Sequence, residues 1–243
     1  VGHEREERQL EDVEADVGVE RGVRGPEVDT VVEEDPVVPG GAQADADGAL
    51  LTAHLGRVVQ NSGQKTLLLD LGLSRGDSLA IFGLESTFHF GDALRNLRRL
   101  DSTLIDSAFT AAGSGMRILA SAPNDEPLER VSAAELYMLL SALRQHFQHI
   151  IVNLAGQPDS EVLRTFVSHC DKLLWYCDQS VLDCRRNLPI LTLWREKGMK
   201  LDHAKLLVDR YMRNVAPDST TLGNTFGLPV LAVLPFSPEL RMN

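Results

Sequence analysis

The stretch that most constrains this chain is Gln64–Asp77, QKTLLLDLGLSRGD. Four residues of a β-favouring run, Thr66 to Leu69, end on Asp70 and break into a loop containing Gly72 and Gly76. An uninterrupted apolar run of this length, with no polar alternation, predicts a strand buried on both faces of a parallel sheet. The acidic residue at its end predicts a loop delivered to the carboxyl edge of that sheet, where α/β proteins place their ligands.

The same grammar recurs downstream. Met116–Ala120, His149–Leu154, Lys172–Cys177, Ala204–Arg210 and Pro229–Leu234 read as strands. Between them lie helical patterns: Asp77–Leu84, Gly91–Leu100 with Leu94 and Leu97 inward, Asp159–Ser168, Ser180–Lys197 and Thr220–Phe226. Ser132-Ala-Ala-Glu135 is a capping box opening a helix to about Phe147, with Leu136, Leu139, Leu140 and Leu143 facing the core. Gly198 reads as a left-handed cap, and Pro189 as a bend. Strands alternating with helices predict an α/β fold with a doubly wound, mostly parallel sheet.

Charge divides the chain. Residues 1–49 carry 15 Asp and Glu against 4 Arg, whereas residues 50–243 carry 20 of each sign. A neutral body offers little attraction to nucleic acid or anionic lipid. The first 49 residues also lack Lys, Ser, Asn, Ile, Met, Cys and every aromatic residue, and show no periodicity. They are expected to be disordered, with order beginning at Leu50. An acidic solvated tail fits this composition. So does translation of a GC-rich gene out of frame or from a misplaced start, a reading with which Val1 agrees. Leu51, Leu55, Val58 and Val59 then mark one face of a helix ending near Asn61-Ser62-Gly63.

Cys170, Cys177 and Cys184 lie at the end of a helix, the end of a strand and inside the next helix. Reduced thiols packed as small residues are expected, not a metal cluster with His169. Trp175 and Trp194 stand at core spacing, so packing is expected over ligand stacking, and Arg95, Arg98 and Arg99 are expected to form a solvated helix face, with a basic docking face the alternative. No apolar run approaches the ~20 residues needed to span a bilayer.

A nucleoside triphosphatase of this architecture needs a Gly-rich loop with a Lys between a strand and a helix. Ser62-Gly63-Gln64-Lys65-Thr66 mimics the end of such a loop, but it follows a helix and enters a strand. The segment in the proper place, Pro39-Gly40-Gly41-Ala42-Gln43-Ala44-Asp45-Ala46-Asp47-Gly48, has no Lys or Arg and two Asp. Those carboxylates repel phosphate.

From Leu50 to Leu240 the chain resembles the MinD/ParA superfamily of P-loop proteins, and is most similar to its TadZ/CpaE branch. Seven segments carry the likeness: TLLLDLGLSRGD, FHFGDALRNLRRLDSTLID, SGMRILASAPND, HIIVNLAGQPDSEV, DKLLWYCDQSVLDCRRN, KLLVDRYMRN and FGLPVLAVLPFSPELR. The resemblance implies nucleotide-binding positions at Asp70, Gly72, Asn153, Gly156, Asp209 and Arg210. At several of them the family's chemistry has gone. Relatives read Asp at the position of Gly72, Asp at that of Asn153, and many an adenine-contacting Asn at that of Asp209. Asp70 also reads as a strand end hydrogen-bonded to loop amides, and Asn153 as a turn former.

The resemblance therefore implies a non-enzymatic scaffold or localisation factor serving the secretion proteins of Flp (Tad) pili. It would be cytoplasmic, at the inner-membrane face or cell pole through partners, and paired as a homodimer across the nucleotide edge. No cofactor or metal is expected, nor nucleic acid, nor direct membrane insertion. The alternative is a MinD/ParA-like ATPase whose phosphate-loop region is missing from this chain, which would use ATP and magnesium. A DNA-partitioning ATPase is a third reading, opposed by the neutral body. Relatives continue past the LP-x-[DS] turn into another helix, so truncation at Asn243 is also expected.

Overall fold

A computed structural model describes residues 37–40 and 46–236. The acidic residues 1–36 and 41–45, expected to be disordered, lie outside the described residues, as do the last seven, 237–243. The described residues belong to one compact unit.

The described residues build an eight-stranded sheet in the order β3-β4-β2-β5-β1-β6-β7-β8. The strands are β1 (Val37–Gly40), β2 (Thr66–Asp70), β3 (Thr110–Ala111), β4 (Arg117–Ala120), β5 (His149–Asn153), β6 (Lys172–Asp178), β7 (Ala204–Tyr211) and β8 (Val230–Pro235). All pairings are parallel except the short edge strand β3 on β4. The helices are α1 (Ala46–Asn61), α2 (Asp77–Ile81), α3 (Phe90–Arg95), α4 (Ser102–Ala108), α5 (Ala133–Arg144), α6 (Glu161–His169), α7 (Val181–Glu196) and α8 (Ser219–Phe226).

The doubly wound sheet agrees with the sequence pattern, but its centre does not. β1 lies between β5 and β6, pairing Val37 with Ile151 on one side and Val37–Gly40 with Lys172–Trp175 on the other. Order thus begins no later than Val37, not at Leu50, and α1 starts at Ala46. The physical reason is topological. A parallel sheet wound to both sides needs a strand before its first helix, from which the two halves diverge. Pro39 inside the strand hid it, because proline cannot donate to a ladder and argues against a central position.

The face of α1 differs in part from expectation: Leu55 and Val59 pack against the core, but the closest approach is made by small residues. Gly48, Ala49, Thr52, Ala53 and Gly56 are buried, while Val58 is 67% exposed. Small residues let the helix approach the sheet closely: a Cβ on Gly56 would lie 2.6 Å from Met116 Sδ. Thr52 satisfies its buried hydroxyl by donating to the Gly48 and Ala49 carbonyls, both at 2.9 Å.

Period-two alternation then sorts the sheet. Leu68, Ile118 and Ile151 pack in one cluster with Ala53 and Met116, while Leu67, Leu69, Ile150 and Val152 face another. That second cluster includes all four predicted α5 leucines, and the Ser132–Glu135 box caps α5 as expected. α3 is shorter than the predicted Gly91–Leu100 helix, giving way to a 3-10 turn at Leu97–Arg99, and α4 was missed. Trp175 and Trp194 are buried edge-to-face, centroids 5.3 Å apart. α7 runs unbroken through Pro189 to Glu196, and Gly198 follows with φ 75°.

A chain beginning at Leu50 lacks a strand hydrogen-bonded on both sides, each bond worth about 1 kcal/mol against a total stability of about 5–15 kcal/mol. It is expected to lose cooperative thermal unfolding, whereas a chain beginning at Glu33 keeps the melting temperature of the whole protein. Circular dichroism melts of the two truncations check this.

Candidate functional site at the carboxyl edge

The strand order reverses around β1, so the crevice at the carboxyl ends of β2, β5 and β1 is where this architecture holds ligands. Asp70 and Asn153 end β2 and β5 as register partners. Asp70 is 1% exposed. Its Oδ1 accepts from Asn153 Nδ2 at 2.8 Å and from the Gly72 amide at 3.4 Å, and its Oδ2 accepts from the Ser78 amide at 3.1 Å. Asn153 Oδ1 accepts from the Ala155 amide at 3.1 Å, so both ends of the side chain are used. Asp70 thus ends its strand on loop amides, and Asn153 shapes the turn after β5.

Gly72 belongs to the same fitted group, since a Cβ there would lie 2.6 Å from Asn153 Nδ2. Backbone bonds from Leu71 N to Asn153 O and from Leu73 N to Ala155 O, each 2.9 Å, lock the two loops together. Gly156 turns the second loop with φ 77°, a left-handed conformation that favours glycine. Gln157 Nε2 then donates to the Leu71 carbonyl at 2.6 Å. Beside this group, Asp77 has its carboxyl pushed above the usual range by burial and by the Asp70 charge.

Asp209 and Arg210 form a second group at the end of β7, three strand spacings, or about 14 Å, from β5. Tyr176 donates to Asp209 Oδ2 at 2.6 Å. Arg210 sits in a register irregularity with φ 51°, uncommon for a non-glycine residue, and its guanidinium pairs with Asp47 in the first turn of α1. The same turn touches the first group, because a Cβ on Gly48 would lie 2.9 Å from Ala155 Cβ. α1 therefore bridges the two groups through Asp47 and Gly48. The sequence reading missed this pair. The 163-residue separation of Asp47 and Arg210 leaves no local signal.

Two clamps shape the rim. Arg75 Nη1 donates to the carbonyls of Ala122, Pro123 and Asp125 at 2.8–3.0 Å. Gln179 accepts from the Met212 amide at 2.9 Å and donates to the Val215 and Pro217 carbonyls at 2.5 and 2.7 Å. Neither had a motif that could reveal it. Outside the crevice, Asp159 gathers Trp194 Nε1 at 2.7 Å, Arg164 at 2.5 Å and Lys197 at 3.6 Å. Burial opposes its ionisation, but the Trp194 and Arg164 hydrogen bonds and the two cations outweigh it and hold the carboxyl below its ordinary value. Cys170 and Cys177 are buried free thiols, and burial pushes Cys170 up to about 12.

Among the described residues, Asp70 and Asn153 do not fit a magnesium ion. Asn153 turns a donor N–H onto Asp70, where a cation needs oxygen lone pairs. The first turn of α1 presents the Asp47 carboxylate, already engaged by Arg210, to the place of a phosphate. Ser62–Thr66 is at the opposite, amino edge of the sheet, between α1 and β2. Among the described residues no cluster of three or more His, Cys, Asp or Glu could hold a metal, and no helix is long and apolar enough to cross a membrane.

Replacing Asn153 by Asp sets two buried carboxylates at hydrogen-bonding distance. The new acid is raised above its unfolded value, so the penalty is present at neutral pH and is relieved as pH falls through the raised folded-state value. Chemical denaturation of Asn153→Asp at pH 7 is expected to show a loss of about 2–4 kcal/mol, shrinking towards pH 4. A recovery of that loss on adding magnesium at pH 7 would contradict the misfit.

No protein-family model matches the sequence, and no curated protein does. Solved structures match in fold. A ParA family ATPase from Chlorobium tepidum shares 18% identity with a TM-score of 0.75, over 86% of this chain and 88% of that one. The MinD cell division protein of Aquifex aeolicus shares 17% with a TM-score of 0.66, over 86% and 84%. The septum site-determining protein MinD of Pyrococcus horikoshii, complexed with Mg-ADP, shares 15% with a TM-score of 0.64, over 86% and 84%. At these identities the likeness is one of architecture, and the chain has the α/β fold of the MinD/ParA P-loop proteins.

Proposed function

We propose that this protein is a non-catalytic scaffold or localisation factor built on a MinD/ParA-type platform. By its resemblance to the TadZ/CpaE branch, we place it with the secretion proteins that assemble Flp (Tad) pili, at the cytoplasmic face of the inner membrane through those partners. The observation that carries the non-catalytic part is the Asn153 amide on the Asp70 carboxylate, fitted against Gly72. The pilus assignment rests on the seven sequence segments alone.

The rim supports a role in association. Leu73, Val181, Leu182, Met212 and Val215 are exposed on the loops and helix start that follow β2, β6 and β7. Apolar residues gathered along one edge suit a face covered by protein. Gln179 holds the loop bearing Met212 and Val215 in one shape, which lowers the ordering cost of binding. A homodimer across this edge would be held by such contacts, not by nucleotide.

The second reading is an ATPase whose phosphate-loop region is missing. It is supported by the ATPases among the structures sharing the fold. ATP hydrolysis assays and sedimentation velocity separate the two. The scaffold reading expects no turnover above background, since losing one charge-stabilising group often costs ~10²–10³-fold. It also expects a sedimentation profile unchanged by ATP and magnesium, and a Leu182→Asp, Val215→Asp double substitution that abolishes any dimer. Magnesium-dependent turnover lost in Asp70→Ala, or a nucleotide-induced dimer, returns the protein to the ATPases.

A further inference from the structure

At the other end of the sheet, where β2 and β4 begin, lies a half-enclosed cavity of about 180 Å³. We propose that it binds a small organic anion, a short-chain carboxylate or phosphate ester. Three groups that can carry positive charge line it, Lys65, Arg117 and His146, against one carboxylate, Asp106. Lys65 belongs to the segment that imitates a phosphate loop; here it faces a different hollow, remote from the carboxyl edge.

Arg117 is the anchor. Its side chain is only 24% exposed, yet its acidic partner, Asp106, is 73% exposed and 3.3 Å away. An ion pair with so solvated a carboxylate contributes little, so an incoming anion displaces Asp106 at small cost. The guanidinium also donates to the Phe109 carbonyl at 3.2 Å, which fixes its direction without neutralising it. A planar fork held this way suits two oxygens of a carboxylate or phosphate.

The frame is rigid. The Lys65 amide donates to Gln148 Oε1 at 2.8 Å, and the Lys65 carbonyl accepts from the Gln148 and His149 amides at 2.9 and 3.2 Å. Thr66 is buried, its amide held by Gln60 Oε1 at 3.0 Å. Ile105 and Phe147, both buried, supply an apolar wall for a short carbon skeleton. Drug-sized ligands need about 300–1,000 Å³, so this volume excludes a nucleotide and selects a compact anion.

Isothermal titration of the full chain with inorganic phosphate, glycerol phosphate and succinate, at matched ionic strength in chloride, tests the site. Saturable binding of at least one probe is expected, with Kd between about 10 µM and 1 mM. Lys65→Gln and Arg117→Gln should each weaken it about tenfold. Lys65 is exposed, so its variant reports on binding and not on folding. Tighter phosphates than succinate assign a phosphate ester, and the reverse a carboxylate. No saturable binding of any probe, or binding that both variants leave unchanged, overturns the proposal. Either result leaves the reading of the carboxyl edge untouched.

Discussion

Everything at the carboxyl edge depends on one buried charge and how it is met. Asp70 ends a strand buried along its whole length, and removing a carboxylate from water is costly unless hydrogen bonds replace that water. Two backbone amides and the Asn153 side chain do so here. Once Asn153 is committed, its far oxygen sets the turn at Ala155, its nitrogen fills the space beside Gly72, and the β2 and β5 loops are locked by their own backbone bonds. A cation in this position would do the opposite, asking for several oxygens and tolerating two acids. The loops are thus organised by hydrogen bonds from within.

What the sequence revealed and what it concealed follow from the range of the interactions. Strands β2, β4, β5, β6, β7 and β8 announce themselves because each is a local apolar run. α5 does so because its Ser132–Glu135 box lies within four residues. β1 stayed hidden because its identity comes from its neighbours β5 and β6, while its own composition, with Pro39, argues against a strand. The α1 face was read only in part, through Leu55 and Val59, because large residues signal burial in sequence while close approach to a sheet selects small ones, Ala49, Ala53 and Gly56. Asp70 and Asn153 were legible as strand ends because each closes a local apolar run, whereas their grouping with Gly72 and Gly156 came from the resemblance. The Asp47–Arg210 pair was not, because nothing in either segment requires the other.

The two edges of the sheet make a useful contrast. At the carboxyl edge the buried acid is fully answered and the surrounding rim is apolar, so what remains to be satisfied is surface. At the amino edge Arg117 is partly desolvated and weakly answered, so what remains to be satisfied is charge. The misleading Ser62–Thr66 segment belongs to the second edge, and its Lys65 acquires meaning only once the fold places it beside Arg117.

The central position of β1 also bears on how the chain is made. Its partners, Ile151 on β5 and Lys172–Trp175 on β6, follow it by more than a hundred residues. At about 5–20 residues per second, a ribosome would need roughly 6–23 s to deliver the first of them. Through that interval the strand that will pair on both sides has both hydrogen-bonding edges open. Meanwhile β2 and β4, far closer in sequence, can already pair. The sheet would therefore grow from its flank and receive its middle strand late, leaving β1 open to chaperones or stray strands while the residues between it and β5 are made.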